Sequence, residues 1–254
     1  MYSMTSMRLL LVLSFLFPCL SIQAQTRTHA YNTNAWLMYF GNHKVSSNIG
    51  LHAEVQWRRS DVFSEKQQLL LRTGFDFYTR PDLRFTIGYA FVETYPYGEF
   101  AVQQAFPEHR IWQQLLAQQD LGRLKLAHRY RLEQRMIGNA STGKFENGRY
   151  ENRARYMAKA TVNITKGQNP VFAALYDEVF INFGKDVAYN LFDQNRLYGA
   201  IGYSISPLLK VECGYLYQVI QLRNLDATSP KNRIENNHTL QIGLFSNVPF
   251  RKEK

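Results

Sequence analysis

The chain has 254 residues, a formal net charge of +10 and 14% aromatic side chains, with 16 Tyr and 17 Phe. That length bounds it to one large β domain or two small ones, and two cysteines, Cys19 and Cys213, exclude a disulfide-dense scaffold. The basic balance admits nucleic acid, anionic lipid or anionic solutes as partners. With no arginine-rich helix, zinc-ligand spacing or other nucleic-acid motif, no nucleic acid is expected.

Residues 1–24 read as a secretory signal. Arg8 precedes an apolar run over 9–20, and Ser21-Ile22-Gln23-Ala24 supplies a small exit residue. The run is short of the roughly 20 residues a spanning helix needs. Pro18 stands where a lipoprotein signal has a small residue before its cysteine, which argues against lipidation. Cleavage after Ala24 leaves 25–254 as a single β-barrel domain and removes Cys19. Cys213 then has no intrachain partner and reads as a small hydrophobe between Val211 and Tyr215.

After a polar, irregular 25–34, residues 35–44 form a strand with weak alternation. Ser46-Ser47-Asn48 turns it into 49–58, where Ile49, Leu51, Ala53, Val55 and Trp57 alternate with Gly50, His52, Glu54, Gln56 and Arg58. A polar loop, 59–66, leads to the clearest hairpin. Leu69, Leu71, Thr73, Phe75 and Phe77 share one face of its first strand; Phe85, Ile87, Tyr89 and Phe91 share one face of its second. Pro81-Asp82 makes the turn. Each strand is about 10 residues, beyond the usual 5–6 and matched to the 9–11 of a tilted membrane-crossing strand.

A long loop, 94–108, precedes a strand at 109–119 whose faces are ambiguous because glutamines fall on both. Strands follow at 124–135, 153–164, 171–183, 196–205, 209–220 and 234–245, with no helical period anywhere. The connections alternate. Those at 45–48, 79–82, 120–123, 165–170 and 206–208 are short; those at 59–66, 94–108, 136–152, 184–193 and 221–233 are longer. Short turns at one end and long loops at the other are the habit of outer-membrane barrels, with periplasmic turns and extracellular loops. The expected fold is therefore all-β, a closed antiparallel transmembrane β-barrel in the bacterial outer membrane. Eleven segments are legible, and single-chain barrels of this class have even numbers. The expectation is about 12 strands, with an extra short strand within 26–34, and 10 as the alternative.

Trp57-Arg58-Arg59, Leu70-Leu71-Arg72-Thr73-Gly74, Glu93-Thr94-Tyr95-Pro96-Tyr97-Gly98-Glu99, Pro107-Glu108-His109-Arg110-Ile111-Trp112 and His128-Arg129-Tyr130-Arg131-Leu132-Glu133-Gln134-Arg135 resemble the Domain of Unknown Function 2490 family. The resemblance spans most of the mature chain. It implies an outer-membrane-type barrel and no established activity or site.

If the apolar faces meet lipid, the other faces fill the lumen with charge. The candidate cluster is Arg58, Arg72, Arg129, Arg131, Glu133, Arg135, Arg153, Arg155, Glu178 and Arg196. Two readings stand: a salt-bridged plug, and an anion-favouring pore or pocket suited to the bidentate arginine fork. The expected function is structural, or passage of small anionic solutes. The alternative is a barrel-embedded enzyme on lipid or envelope material, for which His109 and His238 are the only candidates and lack a nucleophile motif. Outer-membrane lipid and lipopolysaccharide phosphates are the expected partners; no cofactor, metal or catalytic residue is assigned. Asp177-Glu178 would set one carboxylate toward lipid in mid-strand, so a bulge turning both inward is expected. Gly74, Gly88, Gly202, Gly214 and Gly243 fall on inward positions. Trp57, Tyr78 and Tyr95 read as interfacial girdle residues.

Overall fold

Strict two-residue alternation gives each strand one apolar and one polar face, and a sheet rolled closed segregates eleven such faces without leaving an edge. The computed structural model describes residues 27–187, 190–223 and 232–250. The signal segment 1–24 and its cleavage site lie outside them, as do most of the last long loop and 251–254. Eleven strands follow one another: β1 (Arg27–Lys44), β2 (Ile49–Ser60), β3 (Glu65–Arg80), β4 (Leu83–Thr94), β5 (Phe106–Leu121), β6 (Leu124–Asn139), β7 (Lys144–Asn163), β8 (Val171–Phe183), β9 (Phe192–Ser206), β10 (Leu209–Gln221) and β11 (Asn232–Ser246). Each pairs antiparallel with its sequence neighbour, and β1 pairs with β11 to close the barrel.

The strand count corrects the even number expected. Ten antiparallel steps leave β1 and β11 running the same way, so their ladder, Arg27↔Asn232 through Gly41↔Ser246, is parallel. Residues 27–34 do not form a separate strand. Asn32, Asn34 and Trp36 continue one inward row, and the segment is the first half of β1.

The loops also differ from the expected set. Most of 136–152 is a hairpin in which β6 and β7 run on beyond the body of the barrel, leaving 140–143 as the tip. Likewise 59–66 shrinks to 61–64, where Asp61, Val62 and Phe63 all take left-handed φ of 47°, 47° and 78°. That conformation is costly for a β-branched residue such as Val62. At that same end, 95–105 is a true loop. Tyr95 N–H bonds the Gln67 carbonyl at 3.0 Å, and the Tyr97 hydroxyl reaches across the mouth to donate to Glu235 on β11 at 2.9 Å. Burial first, and then the Glu235 carboxylate, raise the Tyr97 phenol above its ordinary pKa.

Outward positions are apolar and open on every face of the barrel: Phe75 is 55% exposed, Ile111 50%, Leu175 56% and Ile201 55%. Inward positions hold the buried polar groups. Inside, a small apolar cluster of Trp36, Met38, Tyr198 and Leu216 joins β1, β9 and β10. Gly88 makes room for Trp112, since a Cβ there would lie 2.8 Å from the indole Cζ2.

Asp177 and Glu178 do not both turn inward. Glu178 is buried in the lumen, while Asp177 stays on the outer face and accepts from Asn195 Nδ2 at 3.0 Å. The neighbouring bulge lies on β9 instead, where Asp193 and Gln194 both become buried. A hydrogen-bond partner on the adjacent strand lowers the cost of one outward carboxylate, so no register change is needed there.

Candidate functional site

All ten residues of the charge cluster point into the lumen. Glu133 sits at its centre with no exposed surface. It accepts from Arg153 Nε at 2.9 Å and Nη2 at 2.5 Å, from Arg155 Nη1 at 2.7 Å, and from Arg72 Nη2 at 3.4 Å; Arg131 lies 4.0 Å away. Arg72 belongs to β3 and Glu133 to β6, with two strands between them, so this contact crosses the lumen rather than following the sheet. Arg72 also donates to Glu54 at 2.5 Å. Arg155 donates to Glu178 at 2.8 Å, Arg129 meets the same oxygen at 2.7 Å, and Arg153 reaches Asp193 at 2.8 Å. Charges of alternating sign thus form one continuous layer from β2 to β9.

Aromatic rings back the layer. Trp112 lies under Arg72 and Arg131 at 5.3 and 4.9 Å; Phe180 lies under Arg155 at 4.3 Å and Arg153 at 5.3 Å. The rings pack against the guanidinium groups. In such surroundings a paired charge is stable only while its partner stays.

Two cavities adjoin the layer. One of about 260 Å³ lies toward the short turns and is lined by Met38, His52, Arg84, Arg129, Lys159 and Glu212 among others. The other, about 220 Å³, lies toward the long loops and is lined by Arg58, Gln68, Tyr97, Arg110, Arg135 and Gln218 among others. Trp36, Gln56, Arg155 and Arg196 border both.

Residues 33–229 match the model of the family described as Protein of unknown function (DUF2490). The chain belongs to that family. The match takes in all ten lumen residues and ends before β11, the strand that closes the barrel. No curated protein matches the chain.

Several lumen residues escaped the sequence reading. Glu108 and Arg110 on β5 form a bidentate pair at 2.6 and 2.8 Å, and Arg135 binds the same carboxylate at 2.6 Å. Glutamines on both faces had hidden the period of β5. The structure explains them: Gln114 points inward to Arg131, and Gln113 points outward, where it exchanges bonds with Gln134 at 3.2 Å. Glu151, Asp193, Trp36 and Trp112 are also lumenal and were not assigned. Charge at alternate positions would have found Glu108 and Arg110.

The two candidate histidines sit outside the barrel. His238 Nδ1 pairs with the Tyr215 hydroxyl at 2.6 Å, and His109 pairs with the Tyr89 hydroxyl and stacks on Phe145 at 4.7 Å. His128 repeats the motif with Tyr156 at 2.8 Å. Neither His109 nor His238 lines either of the two cavities that adjoin the charge layer. Trp57 is likewise outward and 44% exposed, and Cys213 is exposed on the outer face.

Proposed function

We propose that the chain is an outer-membrane β-barrel that admits small anionic solutes to an arginine-rich lumen, with the Glu133 layer as its constriction. One observation carries the membrane reading: the chain is inside-out. Its outer surface is a belt of open Leu, Ile, Phe and Tyr, and its buried side chains are mostly charged or amide-bearing. Each large apolar side chain left in water forgoes about 1.5–3 kcal/mol of burial, a loss that hydrocarbon surroundings remove. The signal at 1–24 and the longer connections gathered at one end agree with export and with an extracellular loop end. Outer-membrane lipid, with its lipopolysaccharide phosphates, is then the surrounding partner.

The solute class follows from the lumen's composition. Arginines dominate both cavities, and an arginine fork takes carboxylate or phosphate bidentately. The mature protein is expected to fractionate with the outer membrane and to resist carbonate extraction; recovery in the soluble periplasm would end the reading. In planar bilayers under a salt gradient, a small current with anion preference is expected, rising in Glu133→Gln. Silence in both proteins would leave a closed, structural barrel. For sidedness, in a Cys213→Ala background, a cysteine at Ser141 should react with an impermeant label on intact cells and one at Asp82 should not. The reverse pattern inverts the topology.

A further inference from the structure

Two buried lumenal arginines differ from the rest. Arg72, Arg110, Arg131, Arg135, Arg153 and Arg155 each lie within 4.0 Å of a carboxylate. Arg58 and Arg196 are as deeply buried, each 8% exposed, yet form no ion pair with any described residue. Glutamine holds them instead. Arg58 Nε donates to Gln56 Oε1 at 2.9 Å and Nη1 to Gln68 Oε1 at 2.7 Å. Arg196 Nη2 meets Gln194 Oε1 at 3.3 Å, and the Gln218 amide, turned to present its oxygen, accepts from Arg196 Nε and Nη2 at 3.1 Å.

Both guanidiniums lie by one indole. The Trp36 ring centre is 4.0 Å from Arg58 Cζ and 5.3 Å from Arg196 Cζ. The ring itself is fixed by a 2.7 Å bond from Trp36 Nε1 to Gln67. Arg58, Arg196 and all four glutamines border the loop-end cavity.

An amide oxygen satisfies an N–H but does not offset a charge, and a buried cation without a counter-charge is expensive. The carboxylates whose fields reach this pair, Glu54 and Glu178, are already bonded to Arg72 at 2.5 Å and to Arg129 and Arg155 at 2.7 and 2.8 Å. Each guanidinium carries five N–H donors, and the glutamines leave part of each set unspent.

We propose that Arg58 and Arg196 form the anion subsite of the lumen, binding a small oxyanionic solute, carboxylate or phosphate, in the loop-end cavity beside Trp36. The glutamines hold the two guanidinium planes and are matched to hydroxyl or amide groups on the rest of the solute. The proposal deepens the anion-handling reading and depends on it only for where the solute comes from.

The test uses the mature chain refolded in detergent micelles, titrated calorimetrically with sodium phosphate and with sodium acetate against a chloride background. Saturable binding of phosphate, acetate or both is expected. Arg58→Gln and Arg196→Gln should each weaken it at least about tenfold, about 1.4 kcal/mol. Arg149→Gln removes a cation from the same cavity that Glu151 already holds at 2.6 Å, and should change binding less than about threefold on the same scale. Heat-modifiable gel mobility checks folding. If a glutamine variant fails to fold, lysine at that position keeps the charge, loses the fork and should still weaken binding. Absence of saturable binding to the folded wild type overturns the site, as does equal weakening by Arg149→Gln, which would mean diffuse attraction only. Silent bilayers with intact binding would remove passage and keep the site; an anion-selective current without binding would do the opposite.

Discussion

The two sides of the lumen solve the same burial problem with different chemistry. On β5, β6, β7 and β8 the inward polar groups are largely ions: Glu108, Arg110, Arg131, Glu133, Arg135, Glu151, Arg153, Arg155 and Glu178. On β9, β10, β11 and β1 they are largely amides and hydroxyls: Gln194, Gln218, Asn237, Thr239, Gln241, Asn32 and Asn34. The amide wall is linked across the parallel seam by Asn32 Nδ2 to Asn237 Oδ1 at 2.9 Å. Ion pairs attract strongly but leave a large penalty when one partner goes; amide pairs gain less and lose less. The ionic wall should therefore set the barrel's rigidity, while the amide wall is where a solute's own polar groups could substitute for protein ones.

The largest test of that difference is Glu133→Ala. It removes the carboxylate that Arg153 and Arg155 share, leaving them Asp193 and Glu178, and loss of one partner of a buried pair costs about 3–5 kcal/mol. Urea midpoints in detergent, read by heat-modifiable mobility, should fall well below those of Glu146→Ala on the exposed β6–β7 extension. Equal midpoints would mean that Glu133 and its partners are fully solvated. A companion variant sharpens the point. Replacing Glu133, Arg153, Arg155 and Asp193 together by apolar residues of similar volume, with Glu178 left to Arg129, should recover most of the loss, as such replacements do where the charges are truly buried.

The amide wall predicts a smaller effect. Asn237→Ala leaves the Asn32 amide donor unsatisfied in a site where Asn237 itself has no exposed surface. An unmet buried amide costs about 1–3 kcal/mol. Its coupling to Asn32 in a double-mutant cycle should stay below that of Glu133 with Arg153. A larger coupling at the amide pair would reverse the ranking of the two walls.

The sequence disclosed one wall better than the other, and the reason is physical. Ions at alternate positions, as in Arg129, Arg131, Glu133 and Arg135, contrast sharply with apolar outward neighbours. Asn and Gln do not, because they also occur in loops and on outer faces, as Gln113 and Asn195 do here. The hairpin at 69–92 was legible because Phe75, Phe85 and Ile87 must all meet one environment. The β6–β7 extension was not, since it rises beyond the apolar belt and its strand character rests on ladder pairs such as Met136↔Tyr150 rather than on periodicity. Closure was least legible of all. The pairing of Asn32 with Asn237 joins residues 205 positions apart, and no local pattern marks a parallel seam. The outward Asp177 fails for the same reason: its partner Asn195 is on the next strand.

The smallest effect isolates burial from ion pairing as such. Arg80 and Asp82 form a well-shaped pair at the β3–β4 turn, with Nη2–Oδ2 at 2.7 Å and Nε–Oδ1 at 3.0 Å, but their side chains are 68% and 48% exposed. The geometry equals that of the lumenal pairs; only the surroundings differ. Water solvates either partner when the other is removed, so Arg80→Ala should cost about 0–1 kcal/mol. Screening gives a second handle. At about 1 M salt the Debye length falls to about 3 Å, and any cost at Arg80 should vanish while the Glu133→Ala loss persists, because a buried pair is screened much less than an exposed one. A salt-insensitive loss at Arg80 would mean that the turn is held by its backbone conformation. A salt-sensitive loss at Glu133 would mean that the ionic wall is wetted, and that the difference between the two walls is one of charge density alone.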